Sequence, residues 1–195
     1  KGSPLLCKVG QRVDHRVGLL YDGGVFRMLG SRTHRETVVE PGAKPTLEVR
    51  LRRRGTDDVL RVFVVHLKAY SEGLEVRRRQ YRALRQIVAP AEASPDRFVL
   101  LGDFNATEPE DRHLLVELSR TGGMAWRSED LKCTSYWKPA EECLSSSLDH
   151  ILIEGASARA SARGPCREVG CEPGERCPVF FRRVSDHCPV VGAIP

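Results

Sequence analysis

The sequence predicts one α/β domain in which strands outnumber helices and the helices intervene between them. Three observations carry this expectation. Apolar runs of strand length recur at Val62-Phe63-Val64-Val65, Phe98-Val99-Leu100-Leu101 and Ile151-Leu152-Ile153. A stretch of helical period, Leu74 to Val88, separates the first two, so the apolar period changes along the chain. The size also fits: 195 residues, 41% hydrophobic and 29% charged, describe one globular unit over residues 1–195, with no internal repeat or linker.

The elements follow in order. Val17 to Tyr21, the turn Asp22-Gly23-Gly24 and Val25 to Met28 read as a β-hairpin. Thr46 to Arg52 alternates strictly, which predicts a half-buried strand with Glu48 and the arginines on its wet face. Gly55-Thr56-Asp57-Asp58 turns the chain into Val59 to His66, apolar enough for a central strand. The helix carries Leu74, Tyr81, Leu84, Ile87 and Val88 on one stripe, and Pro90 and Pro95 are expected to end it. Arg97 to Leu101 is a short buried strand. Thr107 and Glu110 then form a capping box ahead of a helix through Leu118. Leu148 to Ile153 and Pro189 to Ile194 complete the strands.

No apolar run approaches the ~18 residues that a membrane-spanning helix needs. The net charge of +5 permits an anionic substrate without requiring one. Much of it lies in Arg50/Arg52/Arg53/Arg54 and Arg77/Arg78/Arg79, read either as solvated faces or as phosphate contacts. Arg77 and Arg78 are the candidate substrate-binding residues. The chain starts with Lys1, and its methionines are Met28 and Met124, so it is expected to be processed or excised from a longer product.

Six of the seven cysteines, Cys133, Cys143, Cys166, Cys171, Cys177 and Cys188, fall in the last third. Cys166, Cys171 and Cys177 sit in a Pro-, Gly- and Glu-rich stretch, and residues 155–184 read as a disulfide-stapled loop insertion. No Cys-x-x-Cys ladder favours zinc. Disulfides imply a secreted, extracellular or periplasmic setting, and their pairing is open.

Ionisable residues recur where the apolar strands end: His66, then Asp103 and Asn105, then Asp149, then Asp186 and His187. A rigid sheet aims such side chains into one cleft. Their chemistry is mutually consistent. Phosphodiester hydrolysis needs a hard cation, an activated water and donors for phosphate oxygens. Asp103, Asn105 and Asp186 offer oxygen ligands for Mg²⁺ or Mn²⁺. His187 can exchange a proton near neutral pH, with Asp149 setting its tautomer, and His66 can donate to phosphate.

Val65-His66-Leu67-Lys68, the helix containing Gln80, Leu101-Gly102-Asp103-Phe104-Asn105-Ala106, Leu148-Asp149-His150-Ile151-Leu152 and Ser185-Asp186-His187-Cys188-Pro189-Val190 occur in this order. Together they resemble the successive signatures of the endonuclease/exonuclease/phosphatase family, over roughly residues 17 to 194. The resemblance implies a DNase-like four-layer α/β sandwich with two packed mixed β-sheets and a site at one rim. It implies a metal role for Asp186, with Asp103 and Asn105 placing the water, phosphate and a second metal. It implies a base or phosphate-ligand role for His187 oriented by Asp149, and phosphate binding by His66. His150, facing away from Asp149, is expected to be structural.

The family's early Trp-Asn and Gln-Glu motifs are not found before Val17, where residues 1–16 contain Asp14 but no Glu, and Glu36 and Glu40 come after the hairpin. The domain is therefore expected to be N-terminally incomplete, its principal metal Glu preceding Lys1. The activity expected is Mg²⁺-dependent nuclease or deoxyribonuclease-like hydrolysis (Mn²⁺ or Ca²⁺ as substitutes) of a nucleic acid by a monomer. Two alternatives stand: a sphingomyelinase-like or inositol-phosphatase-like hydrolase of a phospholipid or small phosphoester, and a binding domain that lacks the metal Glu.

Overall fold

The computed structural model describes residues 5–10, 17–92, 94–139, 141–155 and 159–194; Asp14 lies outside them. The chain runs β1 (Leu5–Val9), β2 (Gly18–Asp22), β3 (Phe26–His34), β4 (Thr46–Arg53), β5 (Val59–His66), α1 (Leu74–Glu92), β6 (Arg97–Asp103), α2 (Pro109–Thr121) and β7 (Met124–Trp126). It continues through β8 (Ser135–Trp137), β9 (Leu144–Ser146), β10 (Asp149–Glu154), β11 (Ser161–Ala162), α3 (Pro165–Glu168), α4 (Val179–Arg183) and β12 (Val190–Val191).

A six-stranded mixed sheet, ordered β3-β4-β5-β6-β10-β7, forms the centre. Only β5 and β6 pair in parallel within it, because α1 is the crossover between them. Residues alternate between its faces. Phe63, Val65, Phe98, Leu100 and Leu152 pack beneath Tyr81, Leu84, Ile87 and Val88 of α1 and Leu115 and Leu118 of α2. Leu47, Val49, Leu51, Val62, Val64, Val99, Ile151 and Ile153 form the other face. Leu19 and Tyr21 of β2 and Val190 of β12 cover that face, so β1-β2 and β11-β12 form a second sheet layer. Three layers of the expected sandwich are thus present among the described residues: helices, central sheet and second-sheet strands.

Several local expectations are corrected. The turn at Asp22 to Val25 forms, closed by the Val25 N–H on the Asp22 carbonyl, but the strands it joins do not pair with each other. Instead β2 pairs with β1 and β3 with β4, because the nine residues of β3 continue the central sheet. Glu48 is not on a wet face. It is buried, accepting from Arg61 Nε at 2.8 Å and sharing a 2.8 Å hydrogen bond with His34 Nε2. Helix α1 runs through Pro90 to Glu92, since an exposed proline in the last turn removes one hydrogen bond without a core clash. The capping box of α2 is one residue further on, where Asp111 Oδ2 accepts from Glu108 N at 3.0 Å and Pro109 opens the helix. Of Pro189 to Ile194, only Val190–Val191 is strand. Val179-Phe180-Phe181 begins a short helix.

Three disulfides form: Cys133–Cys171, Cys143–Cys177 and Cys166–Cys188. Each joins a cysteine of the 155–184 stretch to a partner outside it, so the staple binds the loop to the body of the protein. Cys7 is free and exposed.

Candidate active site

The row of strand-end residues follows from strand register. His66 stands opposite Asp103 across β5 and β6, and Asp149 stands opposite Asp103 across β10 and β6. Opposed residues share a face, and all three have the parity of Val64, Val99 and Ile151. The three side chains therefore line up across neighbouring strands at one end of the sheet, on the face that the second layer covers. Gly102 makes this approach possible. Its φ is +135°, and a Cβ there would overlap the Val65 carbonyl oxygen.

Asn105 adopts φ +48°, a conformation that asparagine tolerates. Its N–H donates to Asp103 Oδ1 at 2.8 Å and its Nδ2 to the Leu67 carbonyl at 3.0 Å, closing the loop after β6 on the end of β5. His187 comes from outside the central sheet. Ser135 bridges to His187, and Tyr136 N donates to the Asp186 carbonyl at 2.8 Å, so residues 186–188 are laid against β8. There His187 Nδ1 donates to Asp149 Oδ2 at 2.7 Å, and Thr134 Oγ1 donates to the same oxygen at 2.8 Å.

The electrostatics follow from these contacts. The hydrogen bond to Asp149 raises the His187 pKa to about 9, with burial opposing and the charges of Asp149, Asp103 and Asp186 adding to it. Burial raises Asp103 to about 6, and the charge of Asp149 pushes the same way. Asn105 N–H, His187 and Lys44 oppose that rise. Lys44 Nζ lies 3.0 Å from His66 Nε2, and His66 Nε2 lies 3.5 Å from Asp103 Oδ2. Burial lowers the Lys44 pKa, Asp103 opposes this, and Lys68 adds to it.

His66, Asp103, Asn105, Asp149 and His187 are thus brought together. Asp186 is exposed beside His187. Arg77 is corrected as a substrate contact. It is fully buried, and all its donors are engaged: Asp111 Oδ1 and Oδ2 at 2.8 and 2.7 Å, the Lys68 and Tyr70 carbonyls at 3.0 and 2.5 Å, and Thr107 Oγ1 at 3.1 Å. Arg78 is half-exposed, its guanidinium paired at the surface with Glu75 and with both oxygens of Glu110. His150 is buried, edge-on to Trp126. Sequence reasoning missed Lys44 and Thr134, because neither lies in a strand-end signature and both reach the site only through tertiary contacts.

Among the described residues, no three His, Cys, Asp or Glu side chains close into a metal cage. The donors present still suit Mg²⁺, which takes one or two carboxylates and completes its shell with water and phosphate. Asp103 and Asp149 stand opposite each other across β6 and β10, and a divalent cation would offset the repulsion between their charges. A concavity of about 310 Å³ lined by Phe26, Leu60, Arg97 and Ile194 lies at the other end of β5 and β6 and contains none of these groups.

The family model described as Endonuclease/Exonuclease/phosphatase family matches residues 14–187. No curated protein matches the chain. Among solved structures, Danio rerio TDP2 complexed with a single-strand DNA product superposes with a TM-score of 0.69 at 14% identity, over 95% of this chain and 75% of that one. The 3′ phosphatase NExo from Neisseria, bound to a product DNA hairpin, gives 0.68 at 16%, over 98% and 79%. A mannosyl-6-phosphatase from Bacteroides thetaiotaomicron gives 0.61 at 14%, over 97% and 75%.

Proposed function

The chain belongs to the endonuclease/exonuclease/phosphatase family, and on that footing we propose that it hydrolyses phosphodiester bonds of nucleic acid with a divalent cation, Mg²⁺ foremost. The carrying observation is the cross-strand row His66–Asp103–Asp149, completed by His187 hydrogen-bonded to Asp149. DNA in the TDP2 and NExo structures supports the choice of substrate.

Asp103, Asn105 and Asp186 are the ligands we assign to the cation. A cation held by these residues would supply Lewis-acid polarisation of a phosphoryl oxygen. Asp149 holds a proton on His187 Nδ1 and leaves Nε2 to face the reaction. With its pKa raised, His187 is cationic at neutral pH in the metal-free protein. A cation held by Asp103 and Asp186 would offset two of the charges that raise this pKa, so we keep for His187 the role of base or phosphate ligand. Lys44 and His66 supply positive charge and hydrogen bonds to the non-bridging oxygens. Asn105 keeps Asp103 aimed. The three disulfides support an oxidising, extracellular or periplasmic setting, and no helix is long and apolar enough to cross a membrane.

A second reading, phosphomonoester hydrolysis, is favoured by the likeness to the mannosyl-6-phosphatase. A lipid substrate has less support, because the helix starting at Val179 packs Phe181 against the cystine cluster. One assay separates these readings. The protein, expressed with any residues that precede Lys1, should shorten labelled DNA or RNA in the presence of Mg²⁺, and EDTA should abolish the products. Release of inorganic phosphate without strand shortening would establish the second reading, and no Mg²⁺-dependent hydrolysis of either kind would refute both.

A further inference from the structure

Tyr70 is an exposed aromatic held in a backbone conformation that is almost confined to glycine. Its φ and ψ are 68° and 161°, and its side chain adds nothing to the core, the residue being 71% exposed. Such strain persists where surrounding contacts over-determine it, and it concentrates at functional sites. The contacts here are explicit. Buried Arg77 binds the Tyr70 carbonyl at 2.5 Å and, through Thr107 Oγ1, ties it to the loop after Asn105. Gln80 Oε1 accepts from Lys68 N at 2.9 Å, and Leu67 N donates to the Asp103 carbonyl at 2.8 Å. The segment that displays Tyr70 is therefore built onto the loop of Asp103 and Asn105. It stands four residues beyond His66, within about 14 Å by chain reach.

A second exposed aromatic lies near the His187 end of the row. Trp137 is 48% exposed and lies two residues from Ser135, the bridge partner of His187. By the two-residue period of a strand it shares the face of Ser135 and His187, about 7 Å along. An exposed ring thus lies near in the chain to each end of the row from His66 to His187: Tyr70 four residues beyond His66, and Trp137 two residues from the bridge partner of His187.

We propose that Tyr70 and Trp137 are base-stacking platforms on either side of the scissile phosphate, and that the nucleic acid taken is a strand with unpaired bases. This rests on the phosphodiesterase reading and specifies its substrate. Stacking on an aromatic requires an exposed base face, which a duplex does not offer, and it tolerates any sequence.

The test is steady-state cleavage, by the full chain with Mg²⁺, of a single-stranded oligonucleotide, its duplex, and a strand made abasic on both sides of the cleaved bond. Wild type should prefer the single strand. Tyr70→Gly and Trp137→Ala should each raise KM about tenfold with kcat changed less than twofold, while Tyr70→Phe stays near wild type. On the abasic strand, already weakly bound, neither ring-deleting variant should lose more. Tyr70→Gly relieves the strain, so its melting temperature should equal or exceed that of wild type, which excludes misfolding as the cause. Unchanged KM in both variants, equal losses on normal and abasic strands, or a wild-type preference for duplex would overturn this proposal and leave phosphodiester hydrolysis standing. Failure of wild type to cut any nucleic acid would overturn the parent reading, and this one with it.

Discussion

Asp149 Oδ2 takes two hydrogen bonds, from His187 and from Thr134. Thr134 Oγ1 is itself fixed, accepting the Leu148 and Asp149 N–H groups at 3.0 and 2.9 Å. The imidazole is therefore aimed by a carboxylate that cannot rotate freely. His187→Ala should lower kcat by at least ~10²-fold, the lower range for a general acid–base group, with the fold intact; undiminished turnover would remove His187 from the mechanism. The same bond sets a pH dependence of stability. A histidine whose pKa rises from 6.5 to about 9 on folding contributes stability that is complete below pH 6.5 and lost as pH passes 9. Asp103, raised from 3.8 to about 6, acts with the same sign in a lower window. The metal-free protein should accordingly melt at progressively lower temperature between pH 7 and 9.5. Asp149→Asn should flatten that slope, and an equal slope in both proteins would assign it to other groups.

At the scale of elements, the stretch from Cys166 to Cys171 holds both arms of the site. Cys171 is bonded to Cys133, next to Thr134, and Cys166 to Cys188, next to His187. The arms are also zipped together, Cys188 N donating to the Thr134 carbonyl at 2.7 Å. Covalent linkage thus gives a loop-borne histidine the placement that a sheet gives to Asp103 and Asp149. A link over 22 residues restricts the unfolded chain by about 3 kcal/mol. Cys166→Ser with Cys188→Ser should therefore lower the melting temperature by about 6–12 °C. Activity measured well below that temperature should fall as well, because His187 loses its anchor. Full activity in a destabilised variant would show that the ribbon with β8 positions His187 unaided. Arg77 shows the converse at this scale: a residue that reads as a surface cation is a buried strut between α1, α2 and the Tyr70 segment.

For the whole molecule, a net charge of +5 attracts a polyanion only weakly. On the proposed reading, affinity for a strand would depend on the few phosphate contacts assigned to Lys44, His66 and His187. About three contacts on a single strand predict a salt slope near −2, or roughly a fifteenfold rise in KM between 50 and 200 mM salt. A small phosphomonoester should respond far less, so equal salt responses would count against a nucleic-acid substrate. The strand ends that carry the candidate site residues were legible in the sequence. His66, Asp103 and Asp149 each lie where a period-two apolar run ends or begins, and registers of neighbouring strands bring such ends together. The central strands and the apolar stripe of α1 were legible for the same reason, since local periodicity reports burial. Partnership was not legible. Whether β2 pairs with β1 or β3, whether Glu48 and Arg77 are wet or buried, and which cysteines join depend on contacts between segments far apart in sequence. Lys44 and Thr134 belong to that class; the positive φ of Tyr70, whose carbonyl is held by Arg77 seven residues on, left no pattern in the sequence either. The sequence by itself determined which residues could do the chemistry and which strands would carry them. Only the tertiary structure decided which charged groups are buried as struts and which gather at the candidate site, because desolvation and pairing are properties of neighbours in space.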